Sequence, residues 1–283
     1  MYYIYILTLT YIMGAHQTGY DLIISDNHTT ICYDDLGEGK EPVIFIHGFP
    51  FNKSMWKPQL EFLKDTHRVI AYDIRGYGKS SAQDATYSIN LFADDLIKLM
   101  DALKISKAVI CGLSMGGYIA LNAIKRFPGR FSGLILADTQ CEADTAEAKE
   151  NRYKTITQVE SEGLEGFSEG FIKKVFHKNT FETKKELVKK ISTVVLANKL
   201  AAITGGLKAL AERYETCSSL ANIHVPTLIL CGKDDELTPV EKSEALHNGI
   251  KDSTLKIIDE AGHLSNMEQP EEFNENLTNF LKV

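Results

Sequence analysis

The sequence is short of several things, and each shortage excludes something. It has five cysteines in 283 residues, at 32, 111, 141, 217 and 231. The number is odd, the spacings are wide and no C-x-x-C occurs, which argues against a zinc site and against a disulfide framework. Cys111 and Cys231 each end an apolar run and read as reduced small hydrophobes in core strands, a usage that suits a reducing cytosol. Positive charge is also in deficit: 31 Lys and Arg against 38 Asp and Glu leave a net charge of −7. A nucleic-acid or anionic-lipid surface is therefore an unexpected partner. The apolar stretch over 1–13 is too short to span a bilayer and lacks the Lys or Arg that precedes the apolar core of a secretory signal. The reading preferred for it is a start placed too early, with Met13 as initiator. The M-G-x-x-x-[ST] match at 13–18 is a weak pattern and is discounted. A cytoplasmic protein with no membrane partner is expected.

What is present is ordinary for a globular chain, with 44% hydrophobic and 24% charged residues. The length allows one large domain, or one domain with an insert. Short Val- and Ile-rich runs at 43–46, 69–72, 108–111, 134–137, 227–231 and 255–258 alternate with helical patterns. In the stretch 91–103, Phe92, Leu96, Leu99, Met100 and Leu103 recur at steps of three and four. Runs apolar on both faces read as buried strands of a mostly parallel sheet, and alternation with helices predicts an α/β sheet covered on both sides. An antiparallel hairpin edge is expected at 20–24 and 30–33. Alternation breaks between about 141 and 221. That region is read as a helical insert, with Leu187, Ile191, Val194 and Val195 as one apolar stripe. Its Lys-rich part reads as a solvated helix face, because Glu182 and Glu186 are interleaved with the lysines. The expected organisation is an N-terminal extension over 1–19, a core over 20–140 and 222–283, and the insert over 141–221.

The strongest chemical signal is Gly112-Leu113-Ser114-Met115-Gly116-Gly117, a G-x-S-x-G placed directly after a strand and before a helix. So tight a turn forces Ser114 into a strained conformation and projects its hydroxyl above the carboxyl edge of the sheet. A serine needs a base. His263 follows an apolar strand on a short loop and is the candidate. His16, His28, His67, His177, His224 and His247 have no comparable setting. An acid should orient that imidazole. Asp234 and Asp235 both lie just past the strand at 227–231, and the residues alone leave the choice open. The chain order of serine, acid and histidine is that of one of the known triad arrangements.

An oxyanion needs preorganised donors. The N–H of Met115 is one. The N–H of Phe49, in His47-Gly48-Phe49-Pro50, is the second, because Pro50 has none to give. His47 is read as a brace for that loop. Gly78-Lys79-Ser80 is reminiscent of a phosphate loop, but the glycine required five positions before Gly78 is Asp73.

Together these blocks resemble the α/β-hydrolase superfamily from about Tyr20 to the end of the chain. They are His47-Gly48-Phe49-Pro50, Asp73-x-Arg75-Gly76-x-Gly78-x-Ser80, the Ser114 turn, Gly232-x-x-Asp235-x-x-x-Pro239 and Gly262-His263. The resemblance favours Asp235, with Asp234 as fallback. Within the superfamily the chain is similar to small carboxylesterases, to 3-oxoadipate enol-lactonases and to cofactor-free haloperoxidase or perhydrolase types. The tail Gly262-His263-Leu264-Ser265-Asn266 with Glu268-Gln269-Pro270 is shared with the enol-lactonase group. Members with an aspartate or cysteine nucleophile are excluded by Ser114.

The resemblance thus implies a serine hydrolase of small esters, with lactonase and perhydrolase activity as alternatives and a non-catalytic ligand-binding member as the remaining class. It requires no metal or organic cofactor. Phe49, Trp56 and Met115 are expected to line the pocket, with helix packing as an equal alternative for Trp56, and the insert is expected to form the acyl or alcohol pocket and gate entry. Activity is expected to rise with pH near the ordinary histidine value of about 6.5. The sequence leaves the oligomeric state open, a homo-oligomer included.

Overall fold

The structure is a computed structural model that describes residues 20–24, 29–81 and 87–282. The extension over 1–19 and the question of Met13 lie outside the described residues. Among the described residues, eight strands form one sheet in the order β1-β2-β4-β3-β5-β6-β7-β8. They are β1 (Tyr20–Ile24), β2 (Thr29–Leu36), β3 (Val43–Ile46), β4 (Val69–Tyr72), β5 (Ala108–Leu113), β6 (Phe131–Ala137), β7 (Thr227–Gly232) and β8 (Ser253–Ile258). β1 and β2 are the antiparallel edge, and the other six run parallel.

Every residue of β3, β4, β5 and β7 is buried. This follows from helices on both faces. Ile44 and Ile46 face the core shared with α2 (Ile89–Ala102) and α3 (Met115–Arg126), whereas Val43 and Phe45 face the core shared with α1 (Lys57–Leu63) and α11 (Pro270–Leu281). Successive side chains of a strand point to opposite faces, so each strand feeds both cores. β8 departs from the expected two-sided burial. It is the outermost strand, and Thr254 and Lys256 are exposed. α2 begins where Ser88 accepts a hydrogen bond from the N–H of Leu91, an N-cap contact that satisfies one of the helix's orphan donors.

Between β6 and β7 lie α4 (Ala146–Glu162), α5 (Glu165–Val175), α6 (Thr180–Thr183), α7 (Lys185–Leu196) and α8 (Leu200–Ala211), with no strand among the described residues. The stripe on α7 buries Ile191 and Val195 and leaves Lys185, Lys189 and Lys190 exposed. α9 (Val240–Gly249) and α10 (Ser265–Glu268) follow β7 and β8. No single helix among the described residues is long and apolar enough to cross a membrane.

The cysteine expectation needs a correction. Cys141 and Cys217 form a disulfide, with an S–S distance of 2.12 Å. The two positions are far apart in sequence but adjacent in space, because the N–H of Thr216 donates to the carbonyl of Cys141 at 2.8 Å. Spacing counts do not reveal a pair brought together by the return of the chain. Cys32, Cys111 and Cys231 are buried and form no disulfide.

Candidate active site

Ser114 occupies the turn from β5 to α3 with φ 55° and ψ −116°. That is strained backbone for a non-glycine residue. Its neighbours permit it: a Cβ at Gly112 would lie 2.2 Å from the carbonyl oxygen of Gly116, and one at Gly116 would lie 2.2 Å from that of Ile46. The Ser114 N–H donates to the Ala137 carbonyl at 3.0 Å, and its own carbonyl accepts from the N–H groups of Gly117 and Tyr118.

Asp235 and His263 sit on the loops after β7 and β8, and both are almost fully buried. Asp235 Oδ1 accepts from the N–H groups of Leu237 at 2.8 Å and Thr238 at 2.9 Å. Its Oδ2 accepts from Thr238 Oγ1 at 2.7 Å and from His263 Nδ1 at 2.8 Å. With Nδ1–H committed to a carboxylate, Nε2 is the nitrogen left to accept a proton. Burial opposes the charged imidazole, but the charge and hydrogen bond of Asp235 outweigh it and raise His263 above 6.5. Burial likewise opposes the Asp235 carboxylate, and the His263 ring and the Thr238 donors hold it below the ordinary value. Asp234 is elsewhere: its side chain is half exposed and faces His177 Nε2 at 3.7 Å.

The loop after β3 passes against the serine, since a Cβ at Gly48 would lie 3.2 Å from Ser114 Cβ. His47 fixes this loop. Its Nδ1 donates to the Gly48 carbonyl at 2.9 Å, and its Nε2 accepts from the Ile74 N–H at 2.9 Å. Complete burial pushes the ring down to about 4, so it stays neutral. The Phe49–Pro50 peptide bond is cis. Among the described residues, the N–H groups of Phe49 and Met115 donate to no protein acceptor. The Asp73 loop wraps a carboxylate of its own: Asp73 accepts from the N–H groups of Lys53 at 2.8 Å and Lys79 at 2.9 Å.

Ser114, His263 and Phe49 line one cavity of about 580 Å³, closed by α4, α5 and α8. Ser114 and His263 exchange no hydrogen bond among the described residues, a contact that commonly tightens only when substrate is bound. Phe167, Phe171, Leu207 and Leu210 supply an apolar wall. Arg152 and Lys174 stand among the polar lining, which among the described residues contains no Asp or Glu.

Two expected lining residues are not there. Trp56 is fully buried between Phe45 and Phe273, with ring centroids 5.0 and 6.1 Å away, in the core beneath α1 and α11. The Met115 side chain is fully buried in the core on the other face, and only its backbone belongs at the turn. In both cases an apolar side chain near the site in sequence follows its helix face into a core.

The sequence reading also assigns no role to three buried polar residues beside the site. Glu268 accepts from the N–H groups of Gly262 and His177, each at 2.8 Å, and from Thr180 Oγ1, joining the insert to the loop that carries His263. Asp138 and Thr139 leave β6 at the carboxyl edge of the sheet, and both are fully buried. A charged residue directly after a buried strand is the signal that was available for Asp138.

Residues 41–270 match the family described as alpha/beta hydrolase fold. The 3-oxoadipate enol-lactonase 2 of Acinetobacter baylyi is 33% identical over 243 residues, covering 86% of this chain and 89% of the relative. Among solved structures, a thermophilic esterase from Thermogutta terrifontis, with malate bound, superposes with a TM-score of 0.89 at 34% identity, over 94% of this chain and 98% of that one. A bromoperoxidase from Bacillus anthracis superposes with a TM-score of 0.85 at 25% identity, over 94% of this chain and all (100%) of that one.

Proposed function

The chain belongs to the alpha/beta hydrolase fold family, and from that premise we propose that it is a serine hydrolase of small carboxylic esters, working through an acyl-enzyme. The observation that carries this reading is the strained Ser114, which opens on the same cavity as an imidazole hydrogen-bonded to a buried carboxylate. In the proposed reaction Ser114 Oγ attacks the ester carbonyl while His263 Nε2 takes its proton. Asp235 holds the imidazole in the required tautomer and stabilises its charged form. The N–H groups of Phe49 and Met115 receive the oxyanion, where fixed donors act without reorganising. Collapse of the tetrahedral intermediate expels the alcohol, which takes the proton from His263. Water then attacks the acyl group with His263 again as base, and the carboxylic acid leaves. The direct test is hydrolysis of 4-nitrophenyl esters of increasing acyl length. Activity should be present for the wild type and absent in Ser114→Ala; activity that survives the substitution refutes the reading.

A specific observation favours a second reading, a lactone or ester that carries its own carboxylate. Among the described residues the cavity lining holds two cations and no acid, in a chain whose net charge is −7. Arg152 already pairs with Asp144, but Asp144 is shared with Arg213, so one carboxylate serves two guanidinium groups. Arg152→Gln and Lys174→Gln should raise KM for a carboxylate-bearing substrate and leave a neutral ester unaffected, the mark of lost ground-state binding. Equal effects on both substrates would remove this reading and leave the first standing.

A further inference from the structure

Resting on the serine-hydrolase reading, we infer that Asp138 and Thr139 are positioning residues that hold the three loops of the proposed triad in one register. These two consecutive residues touch all three. Thr139 Oγ1 donates to the Ser114 carbonyl at 2.8 Å, beside the backbone bond from Ser114 to Ala137. Asp138 Oδ1 accepts from the N–H of Gly232, at the end of β7, at 2.8 Å. Asp138 Oδ2 lies 2.5 Å from Ser265 Oγ, two residues beyond His263. The Asp138 N–H donates to the Leu230 carbonyl at 2.9 Å. Asp138 has φ 45°, a conformation that costs a non-glycine residue energy and persists only where the surroundings over-determine it.

Asp138, Asp235 and Cys231 present atoms within 4.8 Å of one another. All four carboxylate oxygens already have protein hydrogen-bond partners, so the cluster is a hydrogen-bonded unit and not an open metal cage. Each of two buried carboxyl groups this close disfavours ionisation of the other. Burial and the negative charge of Asp235 push Asp138 well above the usual carboxyl range, while Asp235 is held down beside His263. One Asp138 oxygen accepts from the Gly232 N–H and the other accepts from the Ser265 hydroxyl. What the three loops require at 138 is a group of that shape that bonds to both. A carboxamide does so without a charge, its oxygen accepting the N–H and its NH2 donating to the hydroxyl oxygen.

The test compares wild type, Ser114→Ala, Asp138→Asn, Asp138→Ala and Thr139→Val on one 4-nitrophenyl ester. Rates of the proteins that keep Ser114 are normalised to the fraction of each that reacts with a fluorophosphonate, Ser114→Ala is compared per total protein, and melting is followed in parallel. Displacing catalytic groups by a fraction of an ångström to an ångström costs on the order of 10- to 100-fold in rate. Asp138→Ala should lose kcat on that scale with KM little changed. Asp138→Asn should recover most of the loss, and Thr139→Val should lower kcat with KM retained. A purely structural role would lower the melting temperature and leave kcat per reactive site unchanged, which overturns the inference. Asp138→Asn as damaged as Asp138→Ala also overturns it, because charge would then be what matters. If Asp138→Ala does not fold, Ser265→Ala removes one of the same bonds and takes its place. Failure of the hydrolase reading looks different: Ser114→Ala would then match wild type whatever stands at 138.

Discussion

Cys141 and Cys217 are bonded to each other across 76 residues of chain, and α4 to α8 all lie inside the loop they close. The bond sits at the base of the helices that cover the cavity, where the chain leaves and rejoins the sheet.

Thiol titration checks this pairing. Under denaturing conditions without reductant, three of the five cysteines should react, and all five after reduction. Cross-links over long loops stabilise typically by about 2–4 kcal/mol. The reduced protein, or Cys141→Ser with Cys217→Ser, should therefore melt at a lower temperature. Five reactive thiols before reduction would contradict the pairing.

The pH dependence of kcat/KM reports the base in the free enzyme. In the proposed reaction His263 serves as base only when neutral, and Asp235 raises it above 6.5. The acid limb should therefore have its midpoint above 6.5, a correction to the expectation of an ordinary histidine. The same shift has a stability consequence of opposite direction: the contribution of the charged pair is fully present below 6.5 and is lost as pH rises through the folded-state value. A flat profile from pH 5 to 9 would contradict the role of His263.

His47 should behave in another way. Removing the ring in His47→Ala leaves the Ile74 N–H without its partner and the Gly48 carbonyl with only the Phe51 N–H, a loss of roughly 1–3 kcal/mol for the buried donor. Thermal melts measure that. Because the ring is held down to about 4, it is neutral wherever the enzyme is assayed, and the acid limb of kcat/KM should not move in the residual activity. The depressed value also favours the folded state above 6.5, an advantage lost as pH falls from there toward 4. A displaced acid limb in His47→Ala would show that the ring takes part in proton transfer.

How far the sequence could be read depended on whether a feature was local. The runs at Val43–Ile46 and Val69–Tyr72 match the observed strands residue for residue, because β-branched runs apolar on both faces suit little else at that length. The Ser114 turn was legible because its glycines are dictated by backbone contacts within a few residues and with β3. The choice between Asp234 and Asp235 was not legible from the residues, since it depends on which side chain meets Thr238 and His263 once the loop is closed. The Cys141–Cys217 pair and the Asp138 cluster were hidden for the same reason, being contacts between distant segments. Trp56 was left open between pocket and helix packing because a sequence shows that an aromatic is near a loop but not which core it enters, and packing is what the structure has.

The proposed role of Ser114 as an activated nucleophile served by His263 is tested by the rate and position of labelling with a fluorophosphonate, located by peptide mass spectrometry. One adduct is expected, on Ser114, that is absent in Ser114→Ala and forms far more slowly in His263→Ala. Failure of the folded wild type to react, or an adduct on any other residue that persists in Ser114→Ala, would contradict it.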